Sequence, residues 1–140
     1  MTSGSPYNLE RFLEAQDPVY DLVCSELRSG RKKSHWMWFI FPQIVGLGSS
    51  HMATKFAIYS IDEARAYARH PILGARLTEC TELVNQIAGR TISKIFGYPD
   101  DLKFRSCMTL FVIATGDPVF TQALQKYFAG EPDAQTLKLL

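Results

Sequence analysis

Residues 31–51 hold the combination of side chains on this chain that points most clearly to a ligand site. They read Arg-Lys-Lys-Ser-His-Trp-Met-Trp-Phe-Ile-Phe-Pro-Gln-Ile-Val-Gly-Leu-Gly-Ser-Ser-His. The rings of Trp36, Trp38 and Phe41 offer flat apolar faces on which a planar ligand stacks, with His35 and Gln43 as polar edges. Gly46 and Gly48 let backbone N–H groups approach a ligand closely. Ser50 adds a hydroxyl just before a helix expected to begin near His51, whose unpaired N–H groups favour an anion. His35 is the candidate to transfer a proton near neutral pH. Lys103, in Asp101-x-Lys103-x-Arg105-Ser106, would complete a cationic site if it turned toward His35.

Each of these has a plainer reading. Large rings carry much of a core's burial energy, so the aromatic block serves equally as packing. In an extended segment alternate side chains face opposite ways, so one block can be both core and pocket wall. Ser50 as a simple N-cap accounts for much of the glycine loop. That loop has no Gly-Lys-Ser/Thr, so it is not a P-loop, and it lacks the third glycine and βαβ setting of a dinucleotide site. Charges such as Asp101, Lys103 and Arg105 usually form surface ion pairs on a helix.

Other chemistry is poorly represented. His35, His51 and His70 share no helical spacing, so no metal site is expected, and no motif implies a cofactor. Cys24, Cys80 and Cys107 are odd in number, far apart and without a C-x-x-C spacing. They form no disulfide framework and fall on apolar faces, where a thiol is normally inert packing. The adjacent Asp100 and Asp101 point in different directions and make no acid/base pair, although one of them is placed to cap a helix.

The elements that must position these residues are read from helix punctuation. Asp17-Pro18 and Asp117-Pro118 each resemble an N-cap followed by proline at the first helical position, with Gly30 and Gly130 after the ends. Ser60-x-x-Glu63 resembles a capping box. A helix expected to start at Pro71 carries one apolar stripe of Leu73, Leu77, Cys80, Val84 and Ile87. Thr91 caps a short turn ending at Gly97. Further helices are expected from about Asp100 to Thr115 and from Asp133 to Leu139, with a weaker one over Asn8 to Ala15. Only Trp36 to Phe41 resembles a strand, and one strand makes no sheet. Phe41, preceding a proline, is expected to leave the helical region.

The expected architecture is therefore all-α: a compact bundle of about seven to nine short helices, one domain over residues 8–140 behind a flexible segment 1–7. A content of 46% hydrophobic and 21% charged residues over 140 positions supports a sizeable core. With 15 basic and 14 acidic side chains, the net charge of +1 provides no global field for nucleic acid or an anionic membrane. Met1 to Pro6 resembles no secretory signal, and the longest unbroken apolar run, Trp36 to Phe41, is far too short to span a bilayer. A cytoplasmic location is expected.

Taken together, Arg11-Phe12-x-x-Ala15-Gln16, His35-Trp-Met-Trp-Phe-Ile-Phe-Pro-Gln43, Gly46-Leu-Gly48-x-Ser50, Glu63-Ala64-x-Ala66-Tyr67, His70-Pro71-x-Leu73-Gly74-x-Arg76-Leu77, Phe96-Gly97, Asp101-x-Lys103 and Met108-Thr109-Leu110-Phe111 resemble a bacterial all-helical family. That family is known as domain of unknown function 1810, and some members carry the label calpastatin. The resemblance implies a compact, monomeric helical fold and hands over no catalytic residues. A calpastatin is an extended inhibitor, which the globular composition contradicts. The functional expectation is a small-molecule binding protein or enzyme for a nucleotide-like or phosphorylated planar compound, using His35, Trp36, Trp38, Gln43, Gly46, Gly48, Ser50 and Lys103. The alternative is a nucleic-acid or protein binding module using Arg31, Lys32, Lys33 and exposed aromatics.

Overall fold

The computed structural model describes residues 7–140. The expected flexible segment 1–7 therefore lies almost wholly outside the described residues. Ten helices follow one another: α1 (Glu10–Gln16), α2 (Tyr20–Arg28), α3 (Met37–Ile40), α4 (His51–Lys55), α5 (Ile61–Arg69), α6 (Leu73–Asn85), α7 (Ile92–Phe96), α8 (Asp100–Thr115), α9 (Pro118–Phe128) and α10 (Ala134–Leu139). The class is all-α, and no strand occurs among the described residues. The sole β feature there is an isolated parallel bridge between Ile44 and Ile58.

Helix α8 is the axle. Phe104, Cys107, Met108, Leu110 and Phe111 are all fully buried, and α5, α7, α9 and α10 pack around them. It ends at Gly116, whose φ of +70° is the left-handed turn that releases a chain from a helix. Helix α6 buries Leu73, Leu77, Cys80 and Val84, the stripe expected from their spacing. Its contact with α5 is very close. A Cβ added to Gly74 would lie 2.1 Å from the Ala68 carbonyl oxygen, so only glycine fits there.

Most caps were legible. Ser50, Ser60, Thr91, Asp117 and Asp133 accept hydrogen bonds from Ala53, Glu63, Lys94, Val119 and Thr136 amides respectively. Three expectations need correction. Asp17 is the C-cap of α1 and its carboxylate pairs with Arg76 at 2.8 Å, while α2 starts later, at Tyr20, with no side-chain cap. Helix α6 starts at Leu73 rather than Pro71, because His70 Nδ1 accepts the amides of Ile72 and Leu73 and fixes the corner. Neither Asp100 nor Asp101 is an N-cap; both lie in the first turn of α8, where negative charge meets the positive end of the helix dipole.

The strand-like block is the largest revision. Met37 to Ile40 is a helical turn, the tenth helix and the one beyond the expected range. Phe41 leaves it with φ −124° and ψ 73°, as its position before Pro42 requires. Tertiary contacts override the β-forming residues. The Phe39 carbonyl accepts a hydrogen bond from buried Gln16 Nε2, and Gln16 also donates to the Tyr67 hydroxyl. The rings mesh with the core: Phe41 lies edge-on to Phe104 at 5.0 Å, and Phe96 stacks on Phe104 at 5.0 Å.

Candidate functional site

The segment leading into α3 is held by one carboxylate. Glu26, buried on α2, accepts hydrogen bonds from the Lys33 and Ser34 amides, the Ser34 hydroxyl and Trp36 Nε1. Burial pushes this carboxyl upward. The Ser34 hydroxyl, the two amides and the indole N–H outweigh it and hold the pKa down, at about 2. Trp36 is consequently 1% exposed and is core, so it presents no ring to a ligand. His35 is exposed, with no hydrogen-bond partner among the described residues, and is not joined to Lys103.

Asp100 links the two lysines of the region. Its Oδ2 lies 2.8 Å from Lys32 Nζ and its Oδ1 3.5 Å from Lys103 Nζ. Lys32 then sits 5.2 Å from the centre of the Trp36 ring, and Lys103 5.2 Å from that of Trp38. Of the basic triplet 31–33, the middle residue is thus withdrawn from solvent, its side chain only 8% exposed. A solvated stripe over Arg31, Lys32 and Lys33 is broken at its centre.

Trp38, Gln43, Gly46 and Gly48 do come together. With Ile44, Phe56 and Ala57 they bound a cleft of about 20 Å³, which is room for one water molecule and not for a planar ligand. The glycines have structural reasons. Gly46 adopts φ +102° beneath the Leu139 side chain of α10, and a Cβ on Gly48 would lie 2.9 Å from that of Ala53 on α4. Ser50 lies outside this lining and caps α4. Of the candidates from residues 35–50, Trp38, Gln43, Gly46 and Gly48 are therefore neighbours, around packing rather than an open pocket, and His35, Trp36 and Ser50 are not among them.

An open concavity lies on the other side of Lys32. About 460 Å³ in volume, it is lined by Arg31, Lys32, Arg90, Ser93, Lys94 and Gly97 together with Ile95 and Phe96. The Lys32 amide donates to the Ile95 carbonyl at 2.7 Å, which fixes the strand-like connection against α7. Among the described residues Arg31, Arg90 and Lys94 form no ion pair. A second depression, lined by Arg28 and sharing Arg90, adjoins it. Tyr98, next in the chain after Gly97, is 82% exposed. No His, Asp or Glu lines this surface, and no cluster of metal-ligating residues occurs among the described residues.

A family model described as protein of unknown function (DUF1810) matches residues 6–140. The chain belongs to that family. It is similar to the conserved hypothetical protein Rv1873 from Mycobacterium tuberculosis, whose crystal structure shares 55% identity with it. That match has a TM-score of 0.96 and covers 97% of this chain and 98% of the other. Comparison with curated proteins returns no match. Among the described residues, no helix of this DUF1810 chain is long and apolar enough to cross a membrane.

Two cations of this surface carry no signal in the sequence of the DUF1810 chain. Arg90 and Lys94 lie more than 55 positions from Arg31 in the chain and reach it only through the fold. Glu26 gives a faint signal: an acid three residues after Val23, at the margin of an apolar helical stripe, needs a partner when that face is buried.

Proposed function

We propose that the protein, as one all-α domain over residues 8–140, binds a small phosphorylated ligand in the concavity lined by Arg31, Arg90 and Lys94. One observation carries this reading: three cations without acidic partners converge on a single depression of about 460 Å³. Like charges held together repel, and a phosphate group removes that cost while taking hydrogen bonds from both guanidinium forks. The exposed Tyr98 beside Gly97 supplies a face for a planar group, so a nucleotide-like compound suits the surface. That no carboxylate or imidazole lines the concavity favours binding over turnover there. Trp38, Gln43, Gly46 and Gly48 contribute only the small cleft, Ser50 caps α4, and Lys103 joins the region through Asp100 and the Trp38 ring. Action as a monomer in the cytoplasm completes the proposal, and three free thiols are in keeping with a reducing compartment.

The alternative partner is nucleic acid, favoured by the continuation of positive charge from Arg31 and Lys94 through Arg90 to Arg28. Calorimetric titration with pyrophosphate, adenosine triphosphate and a single-stranded oligonucleotide at two salt concentrations separates them. Binding of pyrophosphate and the nucleotide, lost on Arg90→Glu, supports the small-ligand site. Binding of the oligonucleotide alone, weakening steeply with salt, replaces it with the nucleic-acid reading. No binding by any of the three at low salt sinks both.

A further inference from the structure

Helices α2 and α6 bring Cys24 and Cys80 together in a polar cluster that the ligand site does not use. Cys24 is 4% exposed and Cys80 fully buried. The Glu79 carboxylate accepts the Tyr20 hydroxyl, and the Cys24 thiol donates to the same Glu79 oxygen across 3.9 Å. The Cys80 thiol donates to the Tyr20 hydroxyl across 3.8 Å, so α2 and α6 bring both thiols onto the same hydrogen-bonded Tyr20–Glu79 pair. Arg76 stacks on the Tyr20 ring at 4.7 Å, so the tyrosine that bridges the cluster is itself held in place. Glu79 is exposed and Tyr20 half-exposed, so this cluster reaches the protein surface.

The two thiols differ in character. The neighbouring Cys80 thiol pulls the Cys24 thiol down to about 7 against burial and the Glu79 charge, with Tyr20 and Arg28 assisting. Cys80 is pushed up, first by its neighbour Cys24 and then by burial. Cys107 is also buried and pushed up by burial alone, with no hydrogen-bond partner for its sulfur among the described residues. The order of the two thiols follows from their places in the cluster: Cys24 touches the Glu79 carboxylate, which can take its proton, Cys80 touches the Tyr20 hydroxyl behind it, and Cys107 belongs to no such cluster.

We propose that Cys24 and Cys80 form a reversible dithiol site whose oxidant is a hydroperoxide, with Cys24 the attacking sulfur and Cys80 the resolving one. The Cys24 proton passes to Glu79, and the thiolate attacks one peroxide oxygen. The O–O bond breaks, an S–O bond forms, and the departing hydroxide takes the proton from Glu79 to leave as water. Cys80 sulfur then attacks the Cys24 sulfenic acid. The S–O bond breaks, a disulfide forms, and the Cys80 proton leaves with the hydroxyl as a second water. Two thiols and one hydrogen peroxide thereby give one disulfide and two waters, the peroxide being the two-electron acceptor. A dithiol reductant reverses the change.

The test treats the folded protein with stoichiometric hydrogen peroxide, then unfolds it, alkylates it and maps the peptides by mass. The expected result is a Cys24–Cys80 cross-link two hydrogens lighter than the reduced pair, removed by dithiothreitol, with Cys107 alkylated as a free thiol. Native alkylation should modify Cys24 roughly ten times faster than Cys107 at neutral pH, with a pH midpoint near 7 for Cys24. In Cys80→Ser, a dimedone adduct on Cys24 should replace the cross-link, which keeps the test decisive if Cys24→Ser does not fold. Oxidation of Cys24 to sulfinic acid without a cross-link overturns the proposal. So does peroxide that leaves all three thiols unchanged, or equal reactivity of Cys24 and Cys107.

Discussion

Trp36 Nε1 donates to Glu26 Oε1 at 2.9 Å, so the most distinctive sequence block of the chain is tied to a carboxylate ten residues before it. Three further donors converge on that carboxylate. Replacing it leaves them facing an amide that cannot accept from all of them. Glu26→Gln is expected to cost about 3 kcal/mol at neutral pH, from the difference between 4.5 and about 2. Because the folded value lies below the unfolded one, the stabilisation is complete above about pH 5 and is lost as pH falls from 4.5 toward 2. Denaturant titrations from pH 2 to pH 7 should show a steep acid limb in the parent and a flattened one in Glu26→Gln. Parallel limbs would remove Glu26 from this role.

Helix punctuation made the all-α class and most boundaries readable, because Ser, Thr and Asp caps act on amides two or three residues away. Asp17-Pro18 misled because a capping sequence competes with any partner the fold supplies, and Arg76, 59 positions on, takes the Asp17 carboxylate. The α3 turn was illegible for the same reason: its conformation depends on Glu26 and Gln16, which the local β-forming residues do not reveal. Of the candidate site, the Trp38 and Gly46 neighbourhood was legible as one continuous stretch. The convergence of Arg31 with Arg90 and Lys94 was not, since no periodicity links a turn after α2 to the start of α7.

Asp100 faces two lysines of unequal burial. Asp100→Asn leaves the Lys32 ammonium, whose side chain is 8% exposed, without its counter-charge, and is expected to cost about 3 kcal/mol. Lys103 is more exposed and more distant, so Lys103→Met should change stability by under about 1 kcal/mol. A Lys32→Met, Asp100→Asn double variant should recover part of the loss. Chemical denaturation of the parent, Asp100→Asn, Lys32→Met and their double variant, with Lys103→Met alongside, checks this, and additive losses would show that the Lys32 pair is not coupled.

Two glycines should respond very differently to a single added methyl. At Gly74 the methyl meets backbone, 2.1 Å from the Ala68 carbonyl oxygen, and α5 and α6 cannot separate without opening the core. Gly74→Ala should lower stability by about 3 kcal/mol or leave the protein unfolded. At Gly48 the obstacle is the Ala53 Cβ at 2.9 Å, on the five-residue helix α4, which buries no residue of its own. Gly48→Ala should cost about 1 kcal/mol or less. Thermal unfolding of the pair measures the difference, and equal melting points would contradict the α5–α6 contact.

The cations of the concavity are expected to behave unlike structural residues. Arg31, Arg90 and Lys94 have no ion-pair partner among the described residues, so removing a charge there breaks no stabilising contact. Arg90→Gln and Lys94→Gln should each alter stability by no more than about 0.5 kcal/mol, and the loss of mutual repulsion opposes any cost. Lys32→Gln lines the same concavity but should be several times more damaging, because it strips Asp100 of its nearer partner. The melting temperature of the parent should rise with pyrophosphate, as any ligand that binds only the folded state requires, and the rise should vanish in Arg90→Gln while the unliganded melting temperature stays unchanged. A fall in stability without ligand, as large in Arg90→Gln as in Lys32→Gln, would instead make Arg90 a residue of the fold and leave the concavity without its defining charge.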